Sequence, residues 1–425
     1  MRSQTDVDVL VVGAGLAGLA CAQDLAAEGL RVRVLEASDG VGGRMRTDVV
    51  RGFRLDRGFQ VFNTAYPQVR ARMDLRALRL HPFTPGFLLA GERGRFRFAD
   101  PTRRPDLAAD LLPGRLAPLR DMIALGLLSA RDMVLPAAVL RHGADVPTAR
   151  ALGAALSART VDAVLRPFLA GVFLEDGLET SSRVFHLYWR SMLRGTICLP
   201  AAGIGAVPGR LAERLPPGVL SLESPVARLT DEGVLLADGS APAAPVVVVA
   251  TEAAEAARLL PGLDVPPSRA VTTLYHAAPV SPLREPTLLV DSDRVLLNTV
   301  VLSEVVPAWS GDGRALVSTS VLGESADESA VRGRLAELYG TDTSDWEHLA
   351  DYRIPAALPA MPAPHPLTRS SRVGAGRYVC GDHRATASVQ GALASGARAA
   401  REVLVDWDVR IRSAAVRAGV SARTT

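Results

Sequence analysis

The six residues Gly13-Ala14-Gly15-Leu16-Ala17-Gly18 constrain this chain more than any others. They follow a short β-branched run, Val7 to Val12, of the kind that suits a strand buried on both faces. They open a stretch rich in Ala and Leu that reads as a helix stopping near Gly29. A second strand, Arg31 to Leu35, ends in Glu36. In a strand–turn–helix–strand unit of this kind, Gly13 permits the tight turn. Gly15 lets the backbone approach a pyrophosphate, and Gly18 lets helix pack closely on strand. Ala14, Leu16 and Ala17 bring N–H groups and the positive end of the helix dipole toward the phosphates. Glu36 lies 18 residues beyond Gly18, where a carboxylate accepts hydrogen bonds from ribose hydroxyls and its charge disfavours a 2′-phosphate. The unit predicts a Rossmann-type, dinucleotide-binding α/β domain.

The 425 residues exceed what one ordinary domain uses, so a second domain or a large insertion is expected. A net charge of +3 from 48 basic and 45 acidic residues is a mixed surface, which argues against a nucleic-acid partner. All the Lys+Arg total is arginine; the chain contains no lysine. Cys21, Cys198 and Cys380 are far apart and lack metal-ligand spacing, so they read as buried thiols of a reducing cytoplasm, and no metal site is expected. The apolar run from Val9 follows Asp6 and Asp8 and is broken by glycines, unlike a secretory signal. The longest apolar suspect, Met122 to Ala130, is bounded by Asp121 and Arg131: long enough to lie on a bilayer, too short to cross one.

Beyond Glu36 the chain reads Ala37-Ser38-Asp39-Gly40-Val41-Gly42-Gly43-Arg44, and near its end Arg377 to Cys380 leads into Gly381-Asp382, then Ser388-Val389-Gln390-Gly391. At these residues it resembles the FAD-dependent flavin amine oxidase and phytoene desaturase superfamily. The resemblance implies non-covalent FAD, with Ala37, Gly42, Gly43, Arg44 and Met45 passing the diphosphate and the flavin edge. It implies Asp382 on the ribityl hydroxyls and Gly381 in close backbone approach. The helix opened by Ser388, Val389 and Gln390 would point at the flavin N1 and O2 atoms. Val226 matches the strand that meets adenine through its backbone, and Ala250 and Thr251 end a further buried strand, Val246 to Ala250. Asp56-Arg57-Gly58-Phe59-Gln60 matches the segment beside the isoalloxazine ring, although Phe59 stands where the family usually has a second glycine.

The implied architecture is a discontinuous FAD-binding domain from 1–62, 198–262 and 368–405, and an α+β substrate domain from 63–197 and 263–367. A loosely held tail, 406–425, follows. In the substrate domain, helices are expected at Tyr66 to Leu78, Ala117 to Val134, Thr148 to Ala158 and Arg183 to Leu193. Strands of a mixed sheet are expected at Thr287 to Val290, Arg294 to Val301 and Ala315 to Val321. Phe168, Val172, Phe173 and Leu174, with Phe185, Leu187, Tyr188 and Trp189, read as core more readily than as a tunnel lining.

Two departures bear on chemistry. Many flavin amine oxidases hold a water beside the flavin with a lysine, which this chain cannot do, and Ile354 to Arg377 contains none of the aromatic residues that frame an amine. The resemblance therefore leans toward desaturase-like and protoporphyrinogen-oxidase-like relatives. It implies an oxidoreductase acting on a hydrophobic small molecule, with oxygen or a quinone as electron acceptor and peripheral contact with a membrane. A flavin-dependent isomerase, an amine oxidase and a non-catalytic FAD-binding protein are the alternatives. No general base stands out; His383, Gln60 and Arg190 are the candidates for contact with substrate or flavin. Tyr275 and His276 sit in an apolar context and read as structural.

Overall fold

The computed structural model describes residues 7–92, 94–99, 103, 104, 106 and 117–421, with 410–421 described by backbone alone. The chain forms two compact units, both discontinuous: residues 1–43, 208–265 and 366–425 in the first, 44–207 and 266–365 in the second.

The first unit is built on a six-stranded sheet in the spatial order Leu220–Ser221, Val32–Leu35, Val9–Val12, Val246–Val249, Arg377–Val379, Arg372–Gly374. All neighbours are parallel except the last pair. Val9–Val12 lies at the centre, Val9 facing both Val32 and Val246, and its four residues are all buried. Leu10, Val12, Leu35, Val247, Val249 and Val379 form the core of this layer. The first helix, Leu16–Ala27, packs against the last, Val389–Ser421, so tightly that a Cβ on Gly396 would stand 2.1 Å from the Ala17 carbonyl oxygen. That last helix runs through most of the expected loose tail, as an Ala- and Arg-rich sequence of high helix propensity can.

The second unit carries a seven-stranded sheet in the order Glu347–Pro359, Ser268–Ala278, Ala315–Leu322, Asn298–Val301, Leu289–Asp291, Gly86–Gly91, Gly94–Ala99. It is antiparallel apart from the Leu289–Asp291 and Gly86–Gly91 pair. Helices occupy Leu119–Val134, Thr148–Gly153, Arg166–Phe173 and Ser182–Arg194. The expected helix at Tyr66 to Leu78 is instead Pro67–Arg72 and a separate turn, Arg76–Leu78. Phe173, Phe185 and Trp189 are core, packed with Leu125, Leu152 and Leu169.

Residues 44–62 and 198–207, read above with the cofactor segments, group with the second unit. The reason is strand pairing: Phe62–Asn63 and Leu80–Pro82 both pair with Ile197–Pro200, and Thr47–Val50 pairs with Phe53–Asp56. This region encloses Asp56, whose Oδ1 accepts from the Thr47 hydroxyl at 2.6 Å and from the Ile204 N–H at 2.9 Å. Burial nevertheless dominates and pushes its carboxyl up to about 7. A carboxyl raised in the folded state favours folding most below its unfolded value. That contribution is lost as the pH rises through about 7. Asp56→Asn keeps an oxygen for both donors and removes the titration. We therefore expect thermal melts between pH 4 and 8 to show the wild type losing stability relative to Asp56→Asn as pH rises; parallel curves would refute the assignment.

Candidate functional site

The nucleotide cradle begins where Val9–Val12 ends. Gly13 turns the chain with φ +102°, a conformation that suits glycine, and hydrogen-bonds through its N–H to Leu35. A Cβ on Gly18 would lie 2.0 Å from the Gly13 carbonyl oxygen, so this glycine is dictated by the protein itself. Gly15 is different: a Cβ there would meet nothing within 4 Å. No side chain caps the N-terminus of the Leu16–Ala27 helix and no acid sits in its first turn. Open volume above uncapped N–H groups at the positive end of a helix is the environment a diphosphate requires. Gly42 bonds back to the Ala14 carbonyl at 2.9 Å, and a Cβ on Gly43 would come 3.8 Å from the Gly15 Cα, so the second glycine pair borders the same opening.

Glu36 is held ready beside it. One carboxylate oxygen accepts from the Ala14 N–H at 2.7 Å, the other from the Ser38 N–H at 3.0 Å and hydroxyl at 2.7 Å. A carboxylate offers about four acceptor positions, so one remains for a ribose hydroxyl. Glu36→Ala should weaken FAD binding about 10- to 100-fold, the cost of one charge-assisted interaction, measured by quenching of flavin fluorescence on titration into apoprotein. Unchanged affinity would remove Glu36 from the site.

Val226 is buried, and its carbonyl accepts from Arg258 Nη2 at 3.0 Å. Ala250 continues from the Val246–Val249 strand, with its N–H on the Val12 carbonyl at 2.8 Å; Thr251 follows it. At the far end of the chain, Gly381, Asp382 and His383 form a buried corner. The His383 ring folds over Gly381 so closely that a Cβ there would lie 2.5 Å from it. Ser388 caps the final helix through its hydroxyl, accepting from the Gly391 N–H at 3.1 Å, while Val389 and Gln390 make the first turn. The Gly381 N–H donates to Ser395 on that helix, which fixes the corner to it.

In the second unit, Arg44 Nη1 donates to the Ala357 carbonyl at 2.8 Å, and Gln60 Nε2 donates to the Arg44 carbonyl at 2.8 Å. Met45 is buried. Gly58 has φ +86°, and a Cβ there would meet Ile354 Cδ1 at 2.4 Å. Phe59 stands in its unusual position with its ring edge-on to Phe83, centroids 6.4 Å apart, and its N–H donates to Thr273 at 3.3 Å. Thr273, Ile354 and Ala357 were not legible as site residues. They lie more than 200 positions away, on strands whose register no local pattern reveals. Arg190 is placed elsewhere: its Nη1 donates to the Asp132 and Met133 carbonyls at 2.7 and 2.8 Å, closing the end of the Leu119–Val134 helix. Tyr275 and His276 are buried and structural in character, Tyr275 donating to the Asp56 carbonyl at 2.7 Å and His276 facing Glu328 at 3.1 Å. Among the described residues no cluster of three or more His, Cys, Asp or Glu side chains could hold a metal.

Comparison with known proteins agrees with this geometry. The family model for flavin containing amine oxidoreductases matches residues 16–404, so the chain belongs to that family. Protoporphyrinogen oxidase 2 of Arabidopsis thaliana is 42% identical over 71 residues, 17% of this chain and 14% of that protein. Hydroxyneurosporene desaturase of Rhodobacter capsulatus is 52% identical over 58 residues, 14% of this chain and 11% of that protein. The matches thus span only a small part of these relatives' length. A provisionally named protoporphyrinogen oxidase from Exiguobacterium sp. 255-15 shares the fold: TM-score 0.72 at 18% identity, covering 95% of this chain and 100% of that one. By its family the chain is a flavin-dependent oxidoreductase.

Proposed function

We propose that this flavin containing amine oxidoreductase dehydrogenates a hydrophobic small molecule, isoprenoid or polycyclic in character, by removing a hydride equivalent from one of its carbons. The observation that carries this reading is the aliphatic surround of the Gly58–Gln60 segment. Ile354 and Ala357, which meet Gly58 and Arg44, pack in one apolar cluster with Ala170, Val271, Leu297 and Leu174. The carboxylate next to it in sequence, Glu175, is taken up by Arg269 at 2.6 Å and by the Thr180 N–H at 2.7 Å, and the chain has no lysine to place a water.

FAD, when bound, supplies the acceptor for the hydride and passes the electrons to oxygen or a quinone. The protein's own work is to position and to exclude water. Gly13, Gly15 and Glu36 would hold the diphosphate and ribose, with Gly18 letting the helix pack close behind them; Gly381 and Asp382 would hold the ribityl chain. Arg44 and Gln60 lock the backbone beside the flavin through Ala357. The apolar cluster would orient the reacting carbon and keep water away from it. Gln60 and His383 are the polar side chains we assign to the flavin's neighbourhood. Arg190 we assign to the Leu119–Val134 helix instead. A cytoplasmic setting accords with three buried cysteines and no disulfide, and burial pushes the Cys198 thiol up to about 12, which makes it inert.

The test is anaerobic mixing of the purified, oxidised holoprotein with a panel of lipophilic alcohols, polyenes and amines, followed by admission of oxygen. Flavin reduction by an apolar substrate in the absence of oxygen supports the reading. Product formed with no net reduction would favour an isomerase, and hydrogen peroxide released with amines would make it an amine oxidase.

A further inference from the structure

The Leu119–Val134 helix departs from an ordinary surface helix in burying its acids while leaving a second apolar stripe outside. Its acids face inward: the side chains of Asp121 and Asp132 are 3% and 0% exposed. Asp121 accepts from Ser157 and Thr160, and Asp132 is paired with His186 at 2.7 Å and with Arg131 at 2.7 Å. Leu125 and Leu128 pack inward, but four other large apolar residues face outward: Leu119 57%, Ile123 54%, Leu127 68% and Val134 74% exposed. At 3.6 residues per turn these four fall within about 80° of one another, on a single stripe. Gly126 and Ala130, on the same stripe, are exposed and add no polarity. A monomer in water gains nothing from spending its polar residues inside and its apolar ones outside; such a patch marks an interaction surface.

The rim says what the surface meets. Arg120 and Arg131 border the stripe and are largely exposed. Arg190 and Arg194 reach across from the Ser182–Arg194 helix to the Met133 carbonyl at 2.8 and 3.0 Å. The neighbouring helix, Ala137–His142, adds exposed Val139 and Arg141. Both acids between residues 119 and 142 are buried, so the charge offered outward is positive. A second copy applied to this face would set arginine rim against arginine rim, which is repulsive. An anionic lipid surface complements both parts: its acyl region takes the stripe, and its phosphates take the arginines.

We propose that the outward face of Leu119–Val134 is a docking surface for anionic bilayers, in which the helix lies parallel to the membrane without crossing it. The described residues contain no helix long and apolar enough to cross. This inference rests on the helix surface alone and is independent of the reaction catalysed.

Flotation of the full FAD-loaded protein with phosphatidylcholine vesicles, with and without phosphatidylglycerol, tests it. The wild type should float with the phosphatidylglycerol vesicles, at least 10-fold more than with phosphatidylcholine alone, and less as salt rises. The double substitution Ile123→Glu/Leu127→Glu should lower that partition about 100-fold. Val280→Glu, the same change at another exposed apolar residue of this unit, should leave it unaltered. Wild-type protein that stays unbound, or binds both vesicles equally, overturns the proposal without reference to any variant. So does a double variant that floats like the wild type, or one whose only change is to dissociate a dimer.

Discussion

Gly15→Val should give a folded protein that purifies without flavin colour. In the structure a Cβ at this position meets no protein atom within 4 Å, and the backbone there is extended, with φ −71° and ψ 177°, a conformation valine adopts readily. The fold therefore loses only what a poorer helix N-cap costs, about 1 kcal/mol. The added methyl groups occupy the space assigned to the diphosphate. FAD affinity should fall at least ~100-fold, equivalent to about 3 kcal/mol, and Gly15→Ala should move in the same direction by less. The absorbance ratio of flavin to protein on purification, and a fluorescence titration of the apoprotein, read the effect. The melting comparison must be made between apoproteins, because bound FAD stabilises the wild type by mass action. A yellow Gly15→Val protein of full stoichiometry would mean that the cofactor lies elsewhere.

Gly18→Val, three residues on in the same motif, should fail for the opposite reason. Its Cβ would stand 2.0 Å from the backbone oxygen of Gly13, and a backbone atom cannot rotate aside. Helix and strand would have to separate at the centre of the sheet, where Val9–Val12 and Leu19 are fully buried or nearly so. We expect a loss of about 3 kcal/mol or more, visible as a fall of roughly 6–12 °C in the melting temperature of the apoprotein, with loss of flavin as a consequence. The two variants thus separate the glycine kept for the ligand from the glycine kept for the fold. Should Gly18→Val melt like the wild type, the close helix–strand approach described here is wrong.

Much of the first unit was legible because its signals are local. The Gly13–Gly18 turn, the Val246–Val249 run and the Gly381-Asp382 corner each declare themselves within ten residues, and together they make up the part of the proposed site assigned to the nucleotide. The helices at Leu119–Val134 and Ser182–Arg194 were legible for the same reason: each is a single periodic stretch. The allocation of 44–62 and 198–207 was not legible, since it depends on Ile197–Pro200 pairing with strands more than 100 residues away. Nor was the floor beneath Gly58 and Phe59. Thr273 and Ile354 reach it from neighbouring strands of the seven-stranded sheet, and a one-residue slip in register would turn both away. Phe59 looked like a defect against the family pattern; its ring contact with Phe83 accounts for it. Arg190 was a candidate for contact with substrate or flavin, and no local pattern discloses that the carbonyls at the end of another helix take it up.

The central sheet of the first unit draws its strands from residues 9–12, 32–35, 220–221, 246–249 and 377–379, with the second unit's sequence threaded between them. On a ribosome, the strand carrying the glycine turn is made more than 200 residues before its partner Val246–Val249, and the Gly381 corner arrives later still. Contacts of such long sequence separation form late and slowly. Val9–Val12 must therefore wait, unpaired on one side, while the intervening residues are made. On the proposed site, FAD can then be captured only after the Gly381 corner has emerged, and acquisition of colour becomes a report that synthesis has passed it.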